Sequence, residues 1–148
     1  MKPRQLCSIA FLTMIFVSGS AAACDCRSGS MSERIVRAQI VLIAIVTEFE
    51  PLDHVTLRSK EVFKGRPGTV LTIPTGVSDC DLFLPPINPR VGDEYLLYVG
   101  HLDGRLFVSR CQNSGLVAER VAEVRELRRW IRSNAQQGAP ADRPSGLR

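Results

Sequence analysis

Hydrophobic residues crowd both alternating faces of residues 40–49, where only Thr47 and Glu48 interrupt an apolar run. A strand with that pattern is buried on two sides or curls into a barrel. Pro51 closes it. Residues 54–63 alternate at first, Val55 and Leu57 against Thr56 and Arg58, and then change phase so that Val62 and Phe63 are both apolar. Such a slip predicts a β-bulge, a device found where sheets bend. Lys64-Gly65-Arg66-Pro67-Gly68 reads as a turn into a third strand at 69–75, with Pro74 marking an edge or a strand end.

Residues 76–92 carry no periodicity and include a proline-rich piece, Leu84-Pro85-Pro86-Ile87-Asn88-Pro89, expected as a stiff connecting loop. Two further strands at 94–99 and 105–109 flank Gly100-His101-Leu102-Asp103-Gly104, whose Asp-Gly pair signals a hairpin. Ahead of the first strand, Ser30-Met31-Ser32-Glu33 fits a capping box, predicting a two-turn helix to about residue 38. After the last strand, Val117, Val121, Val124, Leu127 and Ile131 recur at three- and four-residue steps, the stripe of an amphipathic helix over 116–133 capped by Ser114. Its other face carries Glu119, Arg120, Glu123, Arg125, Glu126, Arg129 and Arg132. Acidic residues interleave with the arginines there, which fits a helix packed on the barrel better than one lying on a membrane. The elements add up to a mainly β fold, a small closed or partly closed five-stranded barrel with a short N-terminal helix and a C-terminal amphipathic helix.

The first 23 residues change the picture of where this barrel works. Basic Lys2 and Arg4, an apolar run from Leu6 to Val17 and small residues at Ala21 and Ala23 form the three parts of a signal peptide cleaved after Ala23. The run is too short for a stable membrane-spanning helix, and no later stretch is long and apolar enough to be one. The domain organisation is therefore a signal peptide at 1–23, one domain at 24–134 and a disordered tail at 135–148 rich in Pro, Gly and Ala. The expected localisation is export, to a secreted, periplasmic or extracellular space. Cleavage also lowers the formal charge from +4 to about +2, too little to argue for a nucleic-acid partner.

Of the five cysteines, the leader removes Cys7 and leaves Cys24, Cys26, Cys80 and Cys111. An even set in an exported chain points to two disulfides, with three pairings open. A zinc site of its own does not fit, because one Cys-x-Cys with two distant single cysteines lacks the paired knuckles of structural zinc sites. No serine or cysteine lies in a nucleophile motif and there is no glycine-rich phosphate loop. His54 and His101 sit beside turns or strand starts as surface histidines. Phe63, Phe83, Tyr95, Tyr98 and Phe107 fall at core-like spacing and not on a basic groove for single-stranded nucleic acid. The chain reads as a binding protein, not an enzyme, with no cofactor and no nucleic-acid partner.

Three features carry a family resemblance: Cys24-Asp25-Cys26 directly after the cleavage site, Val62-Phe63-Lys64-Gly65 at a strand end with Cys80 after the third strand, and the hairpin from Asp93 to Cys111. Together, over about residues 24–130, they resemble the N-terminal, netrin-like domain of the tissue inhibitors of metalloproteinases, and more closely the short bacterial proteins similar to them. The resemblance implies an OB-fold and the disulfides Cys24 with Cys80 and Cys26 with Cys111. The family's third disulfide is absent, one of its cysteines falling near Val36. The resemblance further implies a protein partner, a zinc metalloprotease, with Cys24, Asp25 and Cys26 as an inhibitory wedge. In that role the α-amine and carbonyl oxygen of the mature N-terminal Cys24 chelate the protease zinc. An α-amine with a pKa of about 8 gives up its proton at modest cost. Asp25 departs from the family's small hydroxyl residue and would carry a charge into an apolar pocket. The broader expectation is thus an exported, disulfide-stabilised binding module, with protease inhibition as its narrower form. A lipid-anchored surface protein is a further alternative, since a cysteine after a leader can be acylated, although Ala21 stands where lipoprotein signals prefer leucine.

Overall fold

The computed structural model describes residues 26, 29–84 and 87–137. The signal peptide at 1–23, Cys24 and Asp25 lie outside the described residues. The fold is mainly β: six antiparallel strands and two helices. In chain order they are α1 (Met31–Arg37), β1 (Ile40–Glu50), β2 (His54–Lys64), β3 (Val70–Pro74), β4 (Glu94–Leu102), β5 (Arg105–Val108), β6 (Gly115–Leu116) and α2 (Val121–Gln137). The strands form one sheet in the order β3-β2-β1-β4-β5, and β6 pairs with the stretch of β4 that β5 leaves uncovered. β3 and β5, the two ends of this order, come into contact, so the sheet curls into a half-barrel.

The two-sided apolar pattern of β1 follows from its central place. Leu42, Ala44 and Val46 enter the cluster inside the curl with Leu57, Ile73, Phe83 and Leu97. Val41 and Ile43 point the other way, into a second cluster with Ile35 of α1, Tyr98 of β4 and Leu127 of α2. The two helices thus cover the outer face of β1 and β4, and over residues 41–44 and 95–99 these strands are buried on both sides. The phase slip in β2 is a bulge: Val41 pairs with Lys64 and Leu42 with Val62, leaving Phe63 as the extra residue. That turns Phe63 into the outer cluster and leaves Val62 exposed.

The bulge also explains Lys64-Gly65. The Lys64 ammonium donates to the carbonyls of Ile35 (2.7 Å), Val36 (3.1 Å) and Ala38 (2.6 Å), the unpaired C-terminal end of α1. A cation there also suits the helix dipole. Gly65 has φ +83°, and a Cβ on it would lie 2.6 Å from the Gln39 carbonyl oxygen. Gly65→Ala is expected to cost about 2 kcal/mol, from the left-handed backbone and the displaced carbonyl together; urea unfolding checks this. The capping box forms at the other end of α1, with Glu33 N donating to Ser30 Oγ at 3.3 Å and Ser30 N to Glu33 Oε2 at 2.7 Å.

Several expectations need correction. The hairpin loop is shorter than its glycines suggested: Gly100, His101 and Leu102 pair with Phe107, Leu106 and Arg105. The turn is Asp103-Gly104 alone, with φ +50° and +77°, the signature of a type I′ turn. Ser114 does not cap the last helix. It is buried, and its hydroxyl accepts from Tyr98 N at 2.9 Å. Gly115-Leu116 then forms β6, a sixth strand where five were expected, Val117–Glu119 makes a 3₁₀ turn, and α2 begins at Val121. Finally, Glu123 leaves the charged face and is buried, while Val121 of the apolar stripe is half exposed. α2 runs on to Gln137, through the first residues assigned to the tail; residues 138–148 lie outside the described residues.

Candidate functional site

The cysteines meet where the chain returns to the sheet after β3. Cys26 forms a disulfide with Cys111, 85 residues on, with a Cα–Cα distance of 4.6 Å. Cys80 is disulfide-bonded as well; Cys24, which the resemblance pairs with it, lies outside the described residues. Cys80 and Cys111 are brought side by side by a short antiparallel bridge between Asp81 and Ser109. Arg110 N donates to Cys80 O at 2.9 Å and Leu82 N to Val108 O at 2.8 Å. Two anchor points thus stand next to each other, the spatial requirement for fastening cysteines only two residues apart.

The local sequence holds each anchor in the same way. Cys80 N donates to Ser78 Oγ and Cys111 N to Ser109 Oγ, both at 3.1 Å. A serine two residues before each cysteine therefore fixes its amide, a local turn typical of hydroxyl side chains. Arg110 stitches the two segments together, donating from Nε to Asp81 O (2.8 Å) and from Nη2 to Leu84 O (2.6 Å). Asp81 is buried below them and accepts from Phe83 N at 3.0 Å. Burial raises its pKa, against the opposing pull of the amides of Phe83, Val77 and Gly76 and of the Arg110 charge. None of these four supporting residues was singled out from sequence; the repeated Ser-x-Cys spacing was the available signal.

A second polar group braces the flanks of this junction. Arg34 of α1 donates to the carbonyl of Gly29, three residues beyond Cys26, and pairs with Glu123 of α2 at 2.7 Å. Asn113, two residues after Cys111, donates to the other Glu123 oxygen, and Tyr98 OH donates to Glu123 Oε1 at 2.5 Å. The Arg34 guanidinium also lies 5.7 Å from the centre of the Tyr98 ring, within cation–π range. Burial works against the charged form of Arg34, but the hydrogen bond and charge of Glu123 outweigh it and its pKa is raised. Both ends of the disulfide-bearing segments are therefore tied through Glu123 to the helices.

No family model matches the chain, and no curated protein matches it. Its site must be argued from its own residues. The remaining candidates fall elsewhere. His54, in β2, donates from Nδ1 to Asp53 Oδ2 at 2.9 Å, and its Nε2 lies 3.8 Å from Glu48 Oε2. The hydrogen bond to Asp53 raises its pKa, and the contact braces the β1–β2 turn. His101 is exposed on β4, where it pairs with Leu106 of β5. Phe83, Tyr95, Tyr98 and Phe63 are buried, and Phe83 packs edge-on against Tyr95 with ring centres 5.4 Å apart. Among the described residues, no three His, Cys, Asp or Glu side chains cluster as metal ligands, and no helix is long and apolar enough to cross a membrane.

Proposed function

We propose that this chain is an exported, netrin-like binding module built on an OB-fold barrel, and that it presents its N-terminal Cys-x-Cys segment to a protein partner. The observation that carries this reading is the Cys26–Cys111 disulfide at a junction where Cys80 is the immediate neighbour. The disulfide ties Cys26 to the end of the hairpin, and a tethered segment has less conformational freedom to lose when a partner docks on it. The strand order supports the OB-fold: β1 lies between β2 and β4, and β3 approaches β5 to complete the curl, as a five-stranded, partly open Greek-key barrel requires. Disulfides favour an oxidising compartment, which agrees with the leader at residues 1–23.

The exposed position of Cys26 favours a second, narrower reading in which Cys24 and Asp25 reach beyond the anchor toward a protease zinc. The two readings separate in one experiment. A photo-cross-linking residue in place of Asp25 in the exported protein captures one specific partner, and the same probe in place of Arg129 on α2 does not. Equal capture at both positions, or none at either, contradicts the module. Titration against a panel of zinc metalloproteases then decides the narrower form: protein beginning at Cys24 inhibits, and protein that retains Ala23 loses inhibition. Lack of inhibition by the first form removes the zinc-chelating reading and leaves the module standing.

A further inference from the structure

The apolar stripe of α2 is not covered along its whole length. Val124 and Leu127 are buried in the outer cluster, but Val121, at the start of the helix, is 51% exposed. It opens into a cavity of about 370 Å³ lined by Val117, Val121 and Val124 and by Arg125, Arg128 and Arg132. The three arginines follow one another at three- and four-residue steps, so they share one helix face with Cβ atoms roughly 5 to 6 Å apart from one to the next. Like charges at that spacing repel and cost the helix stability. Glu61 of β2 answers only the middle one, accepting from Arg128 Nε at 3.0 Å and from Nη2 at 2.7 Å. Arg125 and Arg132 are exposed and pair with no acid among the described residues. Two unanswered positive charges and an uncovered patch of valine therefore meet in one hollow.

We propose that this hollow binds a phosphate monoester carrying a short apolar chain, its phosphoryl oxygens on the Arg125 and Arg132 guanidiniums and its chain on Val117 and Val121. The forked guanidinium matches phosphate geometry and makes charge-assisted bonds to it. Arg125 and Arg132 stand roughly 10.5 Å apart along the helix axis, a gap that two long side chains leaning toward each other close on one phosphate. A monoester carries a charge of about −1.5 to −2 near pH 7, which balances the two arginines that Glu61 leaves over; a carboxylate or a diester supplies only half of that. The volume lies at the small end of ligand sites and suits a chain of several carbons. A diffusible alkyl phosphate and a lipid with a phosphomonoester headgroup present the same chemistry. No residue of the cysteine junction takes part, so the site stands independently of the function proposed above.

The test uses the full, disulfide-bonded chain with hexyl phosphate as probe, followed by titration calorimetry. Hexyl phosphate is expected to bind saturably, and hexyl sulfate, with a single charge, about fivefold more weakly. Arg125→Gln with Arg132→Gln is expected to weaken hexyl phosphate about 25-fold, or about fivefold for each exposed charge pair. Glu61→Gln is expected to tighten it about fivefold, because Arg128 is then released to the ligand; a purely structural Glu61–Arg128 pair would give no such gain. If the double variant fails to fold, Val121→Asp, which sets a negative charge on the half-exposed floor, serves in its place. Sedimentation with phosphatidylcholine vesicles that contain phosphatidate separates the two sources. Co-sedimentation that the double variant abolishes assigns a lipid headgroup, and hexyl phosphate binding without co-sedimentation assigns a diffusible ester. Absence of binding to both overturns the proposal. So does binding that the variants leave unchanged, or hexyl sulfate bound as tightly as hexyl phosphate.

Discussion

Replacing both halves of the described disulfide, Cys26→Ala with Cys111→Ala, is expected to lower stability by about 4 kcal/mol. The bond ties residues 85 apart, and closing a loop of that length removes more freedom from the unfolded chain than from the folded one. For a domain of this size that is a large share of the whole. The substitution also frees the segment around Cys26 from the Cys80–Cys111 junction. Chemical unfolding of the oxidised protein and of the double variant, compared at equal slope, measures the difference. A loss below about 1 kcal/mol would mean that the segment is held by other contacts and that the disulfide is incidental to it.

Glu123→Ala is expected to cost nearly as much, about 3 kcal/mol. One carboxylate answers Arg34, Tyr98 and Asn113 at once, and its removal leaves the Arg34 charge without its counter-ion and the buried Tyr98 hydroxyl without its acceptor. Replacing the group together, Arg34→Met with Tyr98→Phe and Glu123→Leu, should recover most of the loss, because apolar side chains need no partners. Equal losses in the single and triple variants would show that volume, not unpaired polarity, dominates. The same cluster sets an alkaline limit. Burial first, and then the hydrogen bond to Glu123, raise the Tyr98 pKa above that of a free phenol. A raised folded pKa gives stability that is complete below the unfolded value and lost as pH climbs past it. Stability should therefore fall above pH 10 by up to about 1.4 kcal/mol per pH unit. Tyr98→Phe should flatten that fall, leaving the smaller part due to Tyr95, whose pKa is raised by burial and by the charges of Asp93 and Glu119.

What was legible in the sequence was local or periodic. The Ser30–Glu33 box, the two apolar faces of β1, the phase slip at Val62-Phe63 and the Asp103-Gly104 turn each state their geometry within a few residues. The structure has all four. Ser114 illustrates the opposite case. Its local chemistry suits a helix cap, but a buried β4 amide needed an acceptor, and that demand came from Tyr98, 16 residues away. Glu123 fits a solvated helix face by spacing alone, and only its pairing with Arg34, 89 residues earlier, places it inside. The cysteine junction falls between these cases. The Cys-x-Cys pair announced an anchored segment, and the repeated Ser-x-Cys pattern around Cys80 and Cys111 encoded how the anchors are held. Their meeting point depends on the Asp81–Ser109 bridge, which joins segments with no local signal for each other.

The central claim is that an exported N-terminus is pinned to the barrel by two neighbouring disulfides. Mass spectrometry of the exported protein, giving its first residue and its disulfide-linked peptides without reduction, tests it most directly. The expected result is a chain that begins at Cys24 with an unmodified amine, in which Cys24 is linked to Cys80 and Cys26 to Cys111. A chain that keeps its leader, an acylated Cys24, or a Cys24 not joined to Cys80 would contradict it.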